Sequence, residues 1–547
     1  MLRNSKSGSR RFIFVTVLLL ASAPACQKQA TRVDDGTKKQ ILHIGNGSEP
    51  PSLDPGLSTT VDAAHILRAL FEGLVGNDPV TCRPIPGAAE SWSISKDEKT
   101  YRFFLRKNAK WSNGAPVTAH DFVFAWKRTL SPGLASEYAY MLYYLKNAKL
   151  FNEGKLKDFS QVGVRAAADH ELVVELDRVT PYFVSVLSHA STYPLHRQTV
   201  EKYGAWDSRD NSWTRPGHMV SNGPFQMDQW EVNRRVVVKK NPEYWDRDII
   251  RLNEVHFLAY DSAQTEERAY RAGDIHITLT LPTSKIETYQ AEKNPALKIG
   301  PLNGTYFYRI NVKRKPFGDP RVRRALSMAI DRQLIVERIT RGGQAPAYNL
   351  TPPGLDGFTA RSRIEYSPEK ARKLLAQAGF PNGLGIRRIE ILYNTLEGHK
   401  LIAEAIQQMW KKELNLDVAL VNQDWKVSLD TMRSLNYDIA RMAWIGDYLD
   451  PNTFLDMLVT GGGNNQTGWS NSTYDGLIRE ASHTSGPKRH EIFQKAEDLL
   501  VDESPIIPIY TYTRVQLVHP DVRGFQLNLQ EVIPWKWMYL ERTEGGS

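Results

Sequence analysis

Residues 389–444 read IEILYNTLEGHKLIAEAIQQMWKKELNLDVALVNQDWKVSLDTMRSLNYDIARMAW. Three short runs rich in β-branched and aromatic residues, IEILY, DVALV and YDIARMAW, predict β-strands. The longer runs between them, HKLIAEAIQQMWKKEL and KVSLDTMRSL, have apolar residues at helical spacing and predict helices. A β-α-β-α-β order is typical of a mainly parallel sheet, because parallel strands need a long crossover connection.

Ligands of such sheets bind outside the carboxyl ends of the strands, where loops and helix ends converge. Asp447 follows the third predicted strand, in the segment RMAWIGDYLDP at 441–451. Its carboxylate is therefore a candidate ligand-binding group. Two other interpretations stay open from the residues alone, since this aspartate can also begin a turn before Pro451 or cap a helix around NTFLDML.

Similar patterns predict further elements elsewhere in the chain. Strands are predicted at ILHI (41–44) and YRFFL (101–105), a hairpin at 164–176 and another strand at RRVVVKK (234–240). Helices are predicted at 319–339, with Asp319 as N-cap, and at 367–380, with Ser367 as N-cap, Pro368 in the first turn and Gly379 past the end.

Size and charge narrow the class of protein. The chain has 547 residues, of which 41% are apolar, and this length predicts two or three domains. Its formal charge is +9, but the first 26 residues supply four basic and no acidic side chains. The remaining charge is spread thinly and no nucleic-acid-binding motif is present, so we exclude nucleic acid as a partner.

The N-terminus resembles an export signal, since basic residues precede the apolar run FIFVTVLLLASA. The run ends in Ala-Pro-Ala-Cys26, which is similar to a bacterial lipoprotein cleavage site. This predicts a signal peptide over 1–26, a lipid on Cys26 and a flexible linker over 27–40, with cleavage at an ordinary Ala-x-Ala site as the alternative. We expect a soluble protein in the periplasm or at the cell surface, tethered to a membrane only by its lipid. Cys82 then has no disulfide partner.

Sequence motifs of common enzymes are absent. We find no GxSxG, HExxH, GxxxxGK[ST] or CxxC motif, and the histidines show no metal-ligand spacing. We therefore predict a binding protein without cofactor or metal rather than an enzyme, and a peptidase is the less favoured alternative.

A series of aromatic and glycine-containing motifs resembles the family 5 extracellular solute-binding proteins, and within them the oligopeptide-binding proteins of ABC importers. The motifs run in order over almost the whole chain after the signal. They are SLDP (52–55), LFEGL (70–74), AESW (89–92), FFLRKNAKWSNGAPVTAHDFVFAWKR (103–128), PYF (181–183), NGPF (222–225), KNPEYW (240–245), YRAGDI (270–275), PFGDPRVRRALSMAIDR (316–332), MWKKEL (409–414) and ARMAWIGDYLDPNTFL (440–455).

The resemblance implies an α/β, three-lobed, periplasmic-binding-protein-like fold with an extra inserted domain. Domain I would be discontinuous, domain II inserted, and domain III the α/β lobe. Two hinge segments would join domains I and III, with the ligand enclosed between them. The implied bounds are 41–71 plus 197–298 plus 515–547 for domain I, 72–196 for domain II and 299–514 for domain III.

The resemblance also implies roles for charged residues. Asp447 would receive the α-amino group of a peptide, while Arg441 and His399 would meet its carboxyl end with cationic donors. The alternatives are a strand-end ion pair for Arg441 and a surface position for His399. Asp450 is interpreted as a turn residue.

Further implied site residues are aromatic or act through the backbone. Trp444 and Tyr138 would flank the first ligand residues, and Tyr512 would line the cleft, with core packing as the alternative for each. The backbone around Val61 would pair with the ligand as an added strand. Gly446 and Thr59 complete the predicted set.

Two positions depart from relatives. Some peptide binders have a glutamate where this chain has Thr59, so the charge pattern of that part of the cleft differs. Some relatives have a cysteine pair at the positions of Gly304 and Ile445, which this chain lacks.

The implied partners are an extended oligopeptide and the permease subunits of an ABC transporter, and the protein is expected to be a monomer. The lobes would close over the ligand and the closed form would dock on the permease. Dipeptides, murein peptides, metal chelates, haem and opine-type or plant-derived solutes are the alternative ligands in this family.

Overall fold

The computed structural model describes residues 30–543, together with Met1, Ser5 and Gly8. Apart from these three single residues, the predicted signal peptide lies outside the described residues, and so does Cys26. Cys82 is a buried free thiol. None of the described helices combines the length and apolar character that a membrane crossing needs.

The linker predicted over 27–40 is wrong in its second half, because Arg32–Lys39 form a helix, α1. The reason is a capping box that the prediction missed. The Thr31 hydroxyl accepts from the Asp34 N–H, and the Asp34 carboxylate accepts from the Thr31 N–H. Asp34 also lies in the first turn, where its negative charge interacts favourably with the positive end of the helix dipole.

The remaining elements follow in chain order. Up to residue 258 they are β1 (Ile41–Gly45), α2 (Val61–Leu70), β2 (Val75–Asn77), β3 (Pro84–Pro86), β4 (Ala89–Ile94), β5 (Thr100–Leu105), α3 (Ala119–Thr129), α4 (Ala148–Asn152), β6 (Val164–Ala168), β7 (Glu171–Glu175), α5 (Phe183–Val186), α6 (Arg197–Lys202), β8 (Phe225–Glu231), β9 (Arg235–Lys240) and β10 (Glu254–Leu258). After it they are α7 (Ala263–Arg271), α8 (Thr283–Ala291), β11 (Leu297–Ile310), α9 (Pro320–Met328), α10 (Arg332–Ile335), β12 (Ala345–Pro346), α11 (Pro368–Gln377), β13 (Ile389–Asn394), α12 (Glu397–Leu414), β14 (Val418–Gln423), α13 (Trp425–Arg433), β15 (Ile439–Ile445), α14 (Asn452–Leu455), α15 (Ser472–Ala481), α16 (Gly486–Glu503), β16 (Ile506–Leu517), β17 (Val522–Arg523) and β18 (Tyr539–Leu540).

Three main sheets organise these elements. One has the strand order β1-β10-β9-β8, with β1 and β10 parallel, and another is antiparallel with the order β4-β5-β7-β6. The third has six strands in the order β12-β16-β11-β15-β13-β14. The predicted strands at 41–44 and 101–105, the hairpin at 164–176 and the strand at 234–240 are confirmed.

The β-α-β-α-β prediction is also confirmed, as β13-α12-β14-α13-β15. Strand β13 pairs in parallel with both β14 and β15, and β15 pairs antiparallel with β11 on its other side. Alternate residues of this sheet enter different cores: Tyr306 and Tyr308 join the cluster under α9, α11 and α12, while Phe307 joins the cluster with α14, α15 and α16. The sheet is therefore covered on both faces, and its ligands must enter at a strand end.

One predicted helix is divided. The segment 319–339 begins as predicted, with the Asp319 carboxylate accepting from the Arg321 N–H at 2.8 Å. Helix α9 then ends at Met328, and Asp331 caps a second helix, α10, through the Leu334 N–H. The N-cap preference of aspartate at 331 outweighs the continuous apolar spacing. The helix predicted at 367–380 is confirmed as α11, with Pro368 at its first position and Gly379 in the left-handed region beyond it.

Strands β11 and β16 run side by side for most of their length. Their paired residues include Lys298 with Gln516 and Ile299 with Val515, so the predicted bounds between domains I and III fall opposite each other on this pair. The register breaks at two places: residues 302–304 of β11 face a single residue of β16, and Ile509 of β16 is left without a partner between the pairs Tyr306–Tyr510 and Phe307–Pro508. The three main sheets otherwise lie within one predicted lobe each, and the domain bounds stay a prediction.

Candidate ligand-binding site

The backbone at the carboxyl end of β15 is held by close packing. The Gly446 N–H donates to the Asn303 carbonyl at 2.7 Å, and the Asp447 N–H donates to the Thr453 hydroxyl at 3.1 Å. A Cβ on residue 446 would lie 2.2 Å from the Asn303 side-chain nitrogen and 3.0 Å from the Phe454 ring. Glycine is therefore required here, and it positions the acid that follows.

The Asp447 carboxylate has hydroxyl partners but no cation. Its oxygens accept from the Tyr138 hydroxyl at 3.4 Å and the Tyr140 hydroxyl at 3.3 Å. Within residues 30–543 it makes no ion pair, although it is only partly exposed to water. Burial raises the pKa of this carboxyl to about 7. The site is thus an unneutralised acid walled by phenols, which suits an incoming cation.

Asp450 takes the structural roles that were open for Asp447. Its carboxylate accepts from the Asn452 N–H at 2.9 Å, as a turn residue does, and it binds both terminal nitrogens of Arg489 at 2.5 and 2.7 Å. The Asp447 side chain makes no such backbone bond within the described chain. Its carboxylate is left available.

Tyr138 and Tyr140 reach this pocket from the predicted domain II. Their rings lie 5.7 Å apart, and Tyr138 also packs against His189 at 4.5 Å. Tyr138 was predicted as a flanking aromatic, whereas Tyr140 was not predicted. No spacing pattern singles out Tyr140, and its only sequence signal is its closeness to Tyr138 in the chain.

Arg441 lies on β15 and has no carboxylate partner within the described residues. Its guanidinium donates to the Tyr512 hydroxyl at 2.7 Å and to the Asn394 side-chain oxygen at 3.2 Å, and it lies 4.6 Å from the Tyr306 ring centre. The alternative of a strand-end ion pair is therefore not observed. A buried arginine held by neutral groups is an anion-binding candidate.

His399 is buried in the first turn of α12, so the alternative of a surface position is wrong. Its Nδ1 lies 3.4 Å from the Tyr306 hydroxyl. Burial, followed by the neighbouring Arg441, lowers the pKa of His399 well below its usual value. This environment favours the neutral imidazole, which donates one hydrogen bond, over the cationic donor that was predicted, and the contact of His399 with a ligand stays a prediction.

Tyr512 and Trp444 are the other two aromatic residues predicted for the cleft. Tyr512 contacts Arg441, with its ring 6.1 Å from Tyr306. Trp444 is half-buried on β15 opposite Thr305, and its indole N–H is buried without an acceptor in the described chain. Tyr512 therefore contacts Arg441 directly, and Trp444 lies on the same strand, three residues before Asp447.

The backbone predicted to pair with a ligand lies around Val61. Val61 itself is the first residue of α2, so its own backbone is helical, whereas Thr60 before it is extended. Thr59 is exposed and Ser58 is buried. The pairing of this segment with a ligand stays a prediction.

No group of three or more histidine, cysteine, aspartate or glutamate side chains in the described part of the chain could hold a metal ion. Asp447 thus follows the carboxyl end of β15 and is partly exposed, whereas the guanidinium of Arg441 is buried near the beginning of the same strand.

Comparison with known families agrees with this geometry. Residues 83–466 match the family model of the bacterial extracellular solute-binding proteins, family 5. The chain belongs to this family. Membership confirms that it is a solute-binding protein and not an enzyme, and that its fold is of the periplasmic-binding-protein type.

Individual relatives in this family cover nearly the whole chain. The periplasmic oligopeptide-binding protein OppA of Salmonella typhimurium is 38% identical over 524 residues, which are 93% of this chain and 94% of that protein. The murein tripeptide binding protein MppA of Escherichia coli superposes with a TM-score of 0.85 at 35% identity, over 92% of this chain and 99% of that one.

A structure of MppA in its unliganded open form superposes less well. The TM-score is 0.71 at 36% identity, over 92% of this chain and 98% of that one. The overall arrangement of this chain therefore differs from that open form.

Proposed function

We propose that this protein is the extracytoplasmic receptor of an ABC importer that captures oligopeptides with a free N-terminus and delivers them to the permease. The observation that carries this proposal is the pair of unpartnered opposite charges on and beside β15. Within the described chain, Asp447 has no cation and Arg441 has no carboxylate. A peptide supplies both missing groups.

In this proposal the α-ammonium of the peptide replaces water at Asp447. The bond is charge-assisted and lies in a poorly hydrated pocket, where a carboxylate gains most from a cation. Arg441, oriented by Tyr512 and Asn394, receives the peptide carboxylate or a backbone carbonyl. His399 donates one neutral hydrogen bond beside it.

Closure of the lobes completes the pocket. Tyr138 and Tyr140 belong to the predicted domain II, whereas Asp447 belongs to domain III, so the acid is enclosed only when the two approach each other. The pair Arg433 and Glu137, 3.0 Å apart, joins the same two regions. We infer that β11 and β16 form the hinge, and that the protein acts as a monomer anchored by a lipid on Cys26 in the periplasm or at the cell surface.

Isothermal titration calorimetry with matched peptides tests the proposal. The native protein should bind a peptide with a free amine more tightly than Asp447→Asn does. The affinity of the variant should be about 30-fold to several thousand-fold lower. The N-acetylated peptide should bind the native protein with a similar loss. Asp248→Asn, which removes a highly exposed acid, is the matched control.

Equal affinity for free and acetylated peptides would contradict the proposal. Mass spectrometry of the peptides after incubation adds a second check, since a binding protein returns them intact. Dipeptides and murein peptides are included in the titration, and a metal chelate or haem that binds while peptides do not would replace the proposed ligand class.

A further inference from the structure

We propose that Asp456 is a second acid of the ammonium pocket and that it selects peptides whose first residue carries a second cationic group. This inference rests on the proposed function, because it assumes that the peptide N-terminus lies at Asp447. It adds to that function a chemical class of ligand, namely peptides that begin with ornithine, lysine or a similar diamino residue.

The contacts of Asp456 are all neutral. One carboxylate oxygen accepts from the Asn452 amide nitrogen at 2.9 Å and from the Tyr448 hydroxyl at 3.4 Å. Asp456 is partly exposed, and within residues 30–543 no lysine, arginine or histidine pairs with it. Its second oxygen has no described partner, so this carboxylate is available to a ligand.

Asn452 gives an independent sign of a missing donor. The residue is 3% exposed, and its amide nitrogen is fully used by Tyr448 and Asp456. The oxygen of the same amide has no hydrogen-bond donor in the described chain. Buried carbonyl oxygens are seldom left in this state. An ammonium group, with three N–H donors, would satisfy both this oxygen and the Asp456 carboxylate.

The neighbouring Asp450 shows what the chain does when it neutralises an acid by itself. Arg489 binds Asp450 with two short bonds and is buried with it. No comparable cation reaches Asp456, although both acids belong to the same short segment. The difference indicates that the charge of Asp456 is left for a partner outside the chain.

The electrostatic surroundings of Asp456 also favour an incoming cation. The groups around Asp456 are the phenols of Tyr140, Tyr144, Tyr448 and Tyr474 and the carboxyls of Asp447 and Asp450. Burial, followed by the charge of Asp447, raises the pKa of Asp456 to about 8. One ligand ammonium neutralises one acid only, so Asp456 keeps a proton unless the ligand brings a second cation.

The test compares peptides of equal shape and different charge. Series of three and five residues, X-Ala-Ala and X-Ala-Ala-Ala-Ala, carry ornithine, lysine or norleucine at X. In calorimetry the affinity of the native protein for the tighter of the ornithine and lysine peptides should exceed its affinity for the norleucine peptide by about tenfold or more. Such a ratio is expected for a partly buried charge pair. In Asp456→Asn, which keeps the size of the side chain, this ratio should fall to near one.

Proton exchange gives a readout that a structural role of Asp456 would not change. At pH 7.5, titrations in two buffers of different ionisation enthalpy should show more protons released with the basic peptide than with the norleucine peptide. The basic group displaces the proton of Asp456, and the neutral group leaves it. Asp456→Asn should abolish this difference.

The outcomes separate the two proposals. An unchanged basic-to-neutral ratio in Asp456→Asn, or no preference in the native protein, overturns the role of Asp456 and leaves the peptide receptor intact. Binding of no peptide by the native protein overturns the receptor function as well. Thermal unfolding of Asp456→Asn confirms that the variant is folded in each measurement.

Discussion

At the scale of single residues, Asp447 is held in an environment that disfavours its own charge. Gly446 brings the loop close against Asn303, and two phenols replace water around the carboxylate. A carboxylate kept in this state favours binding of a cation but lowers the folding stability of the free protein. The free protein and the ligand-bound protein should therefore respond differently to loss of the acid.

We predict that Asp447→Asn stabilises the free protein at neutral pH. The folded pKa of about 7 lies above the ordinary aspartate value of 3.8, so the favourable contribution of the protonated acid is complete below about pH 4 and is lost as the pH rises through 7. The variant lacks this loss. Its unfolding temperature should exceed that of the native protein by a few degrees at pH 7.5 and match it near pH 4.

Differential scanning calorimetry of both proteins between pH 4 and pH 8 makes the comparison. Asp248→Asn serves as the control, since the Asp248 side chain is 97% exposed and should show no such trend. A native protein that is more stable than Asp447→Asn at pH 7.5 without ligand would show that the acid is neutralised within the chain.

Part of this site could be predicted from sequence and part could not. Asp447 could be predicted because it follows the carboxyl end of a strand in a parallel sheet, whereas Arg441 was named only by the family resemblance. Tyr140 is 307 positions away from Asp447 along the chain, and no local pattern joins two such segments. The charge state of His399 was missed because burial cannot be read from one position of a helix.

At the scale of elements, the α/β unit depends on a buried hub at the start of β15. Asp438 is fully buried, and its carboxylate accepts from Arg387, Arg314 and the Glu390 N–H. It thereby fixes the beginning of β15 against that of β13. This contact therefore helps to set how the strands that carry the site are aligned with each other.

We predict that Asp438→Asn lowers the unfolding temperature by several degrees and weakens peptide binding. The amide keeps one acceptor oxygen but loses the charge that both arginines use. Because the Arg387 and Arg314 side chains are 51% and 33% exposed, no buried charge is left unpaired, and the loss should be about 1–3 kcal/mol. Scanning calorimetry and peptide titration measure the two effects. Asp417→Asn is the matched control, because its carboxylate is 71% exposed beside Arg388. Equal melting of both variants would contradict the role of the hub.

The elements themselves were largely predictable from periodicity. Strands and helices between 389 and 445 follow from apolar spacing, because each face of the sheet is buried against helices. The break at 329–331 and helix α1 were not predicted. Both depend on the local capping side chains Asp331 and Asp34, which the search for apolar periodicity does not take into account.

At the scale of the whole molecule, the two ends of the described chain meet beside buried histidines. Gln40 binds Leu540 through both its amide nitrogen and its oxygen, and Thr37 donates to Asp521. Close by, His43 and His276 stack at 5.6 Å. Acid should therefore affect this junction before more solvated parts of the fold.

We predict that His43→Asn reduces the loss of stability in acid. Burial lowers the pKa of His43 to about 3, below the ordinary histidine value of 6.5, so its neutral form contributes stability above pH 6.5 that is lost as the pH falls toward 3. The native protein should lose up to about 1.4 kcal/mol per pH unit more than the variant in this window. Urea unfolding at pH 6.5, 5.5 and 4.5 measures the difference.

His120→Asn is the matched control, because it removes a histidine whose side chain is 66% exposed. A His43→Asn slope identical to that of the native protein would show that His43 does not set the acid response. The rings of His256 and His276 lie 4.7 and 5.6 Å from that of His43, so the difference between the two proteins includes the repulsion within this cluster.

The paired strands β11 and β16 also constrain how the lobes can move. Two strands that hydrogen-bond to each other form a ribbon, which resists stretching and sliding but yields to torsion. The two register breaks, at residues 302–304 and between Tyr306 and Phe307, lie close together and should make this short stretch of the ribbon more compliant than the rest. We therefore expect any movement of the predicted lobes to be a rotation about this stretch, so that short and long ligands are held in the same orientation relative to the permease.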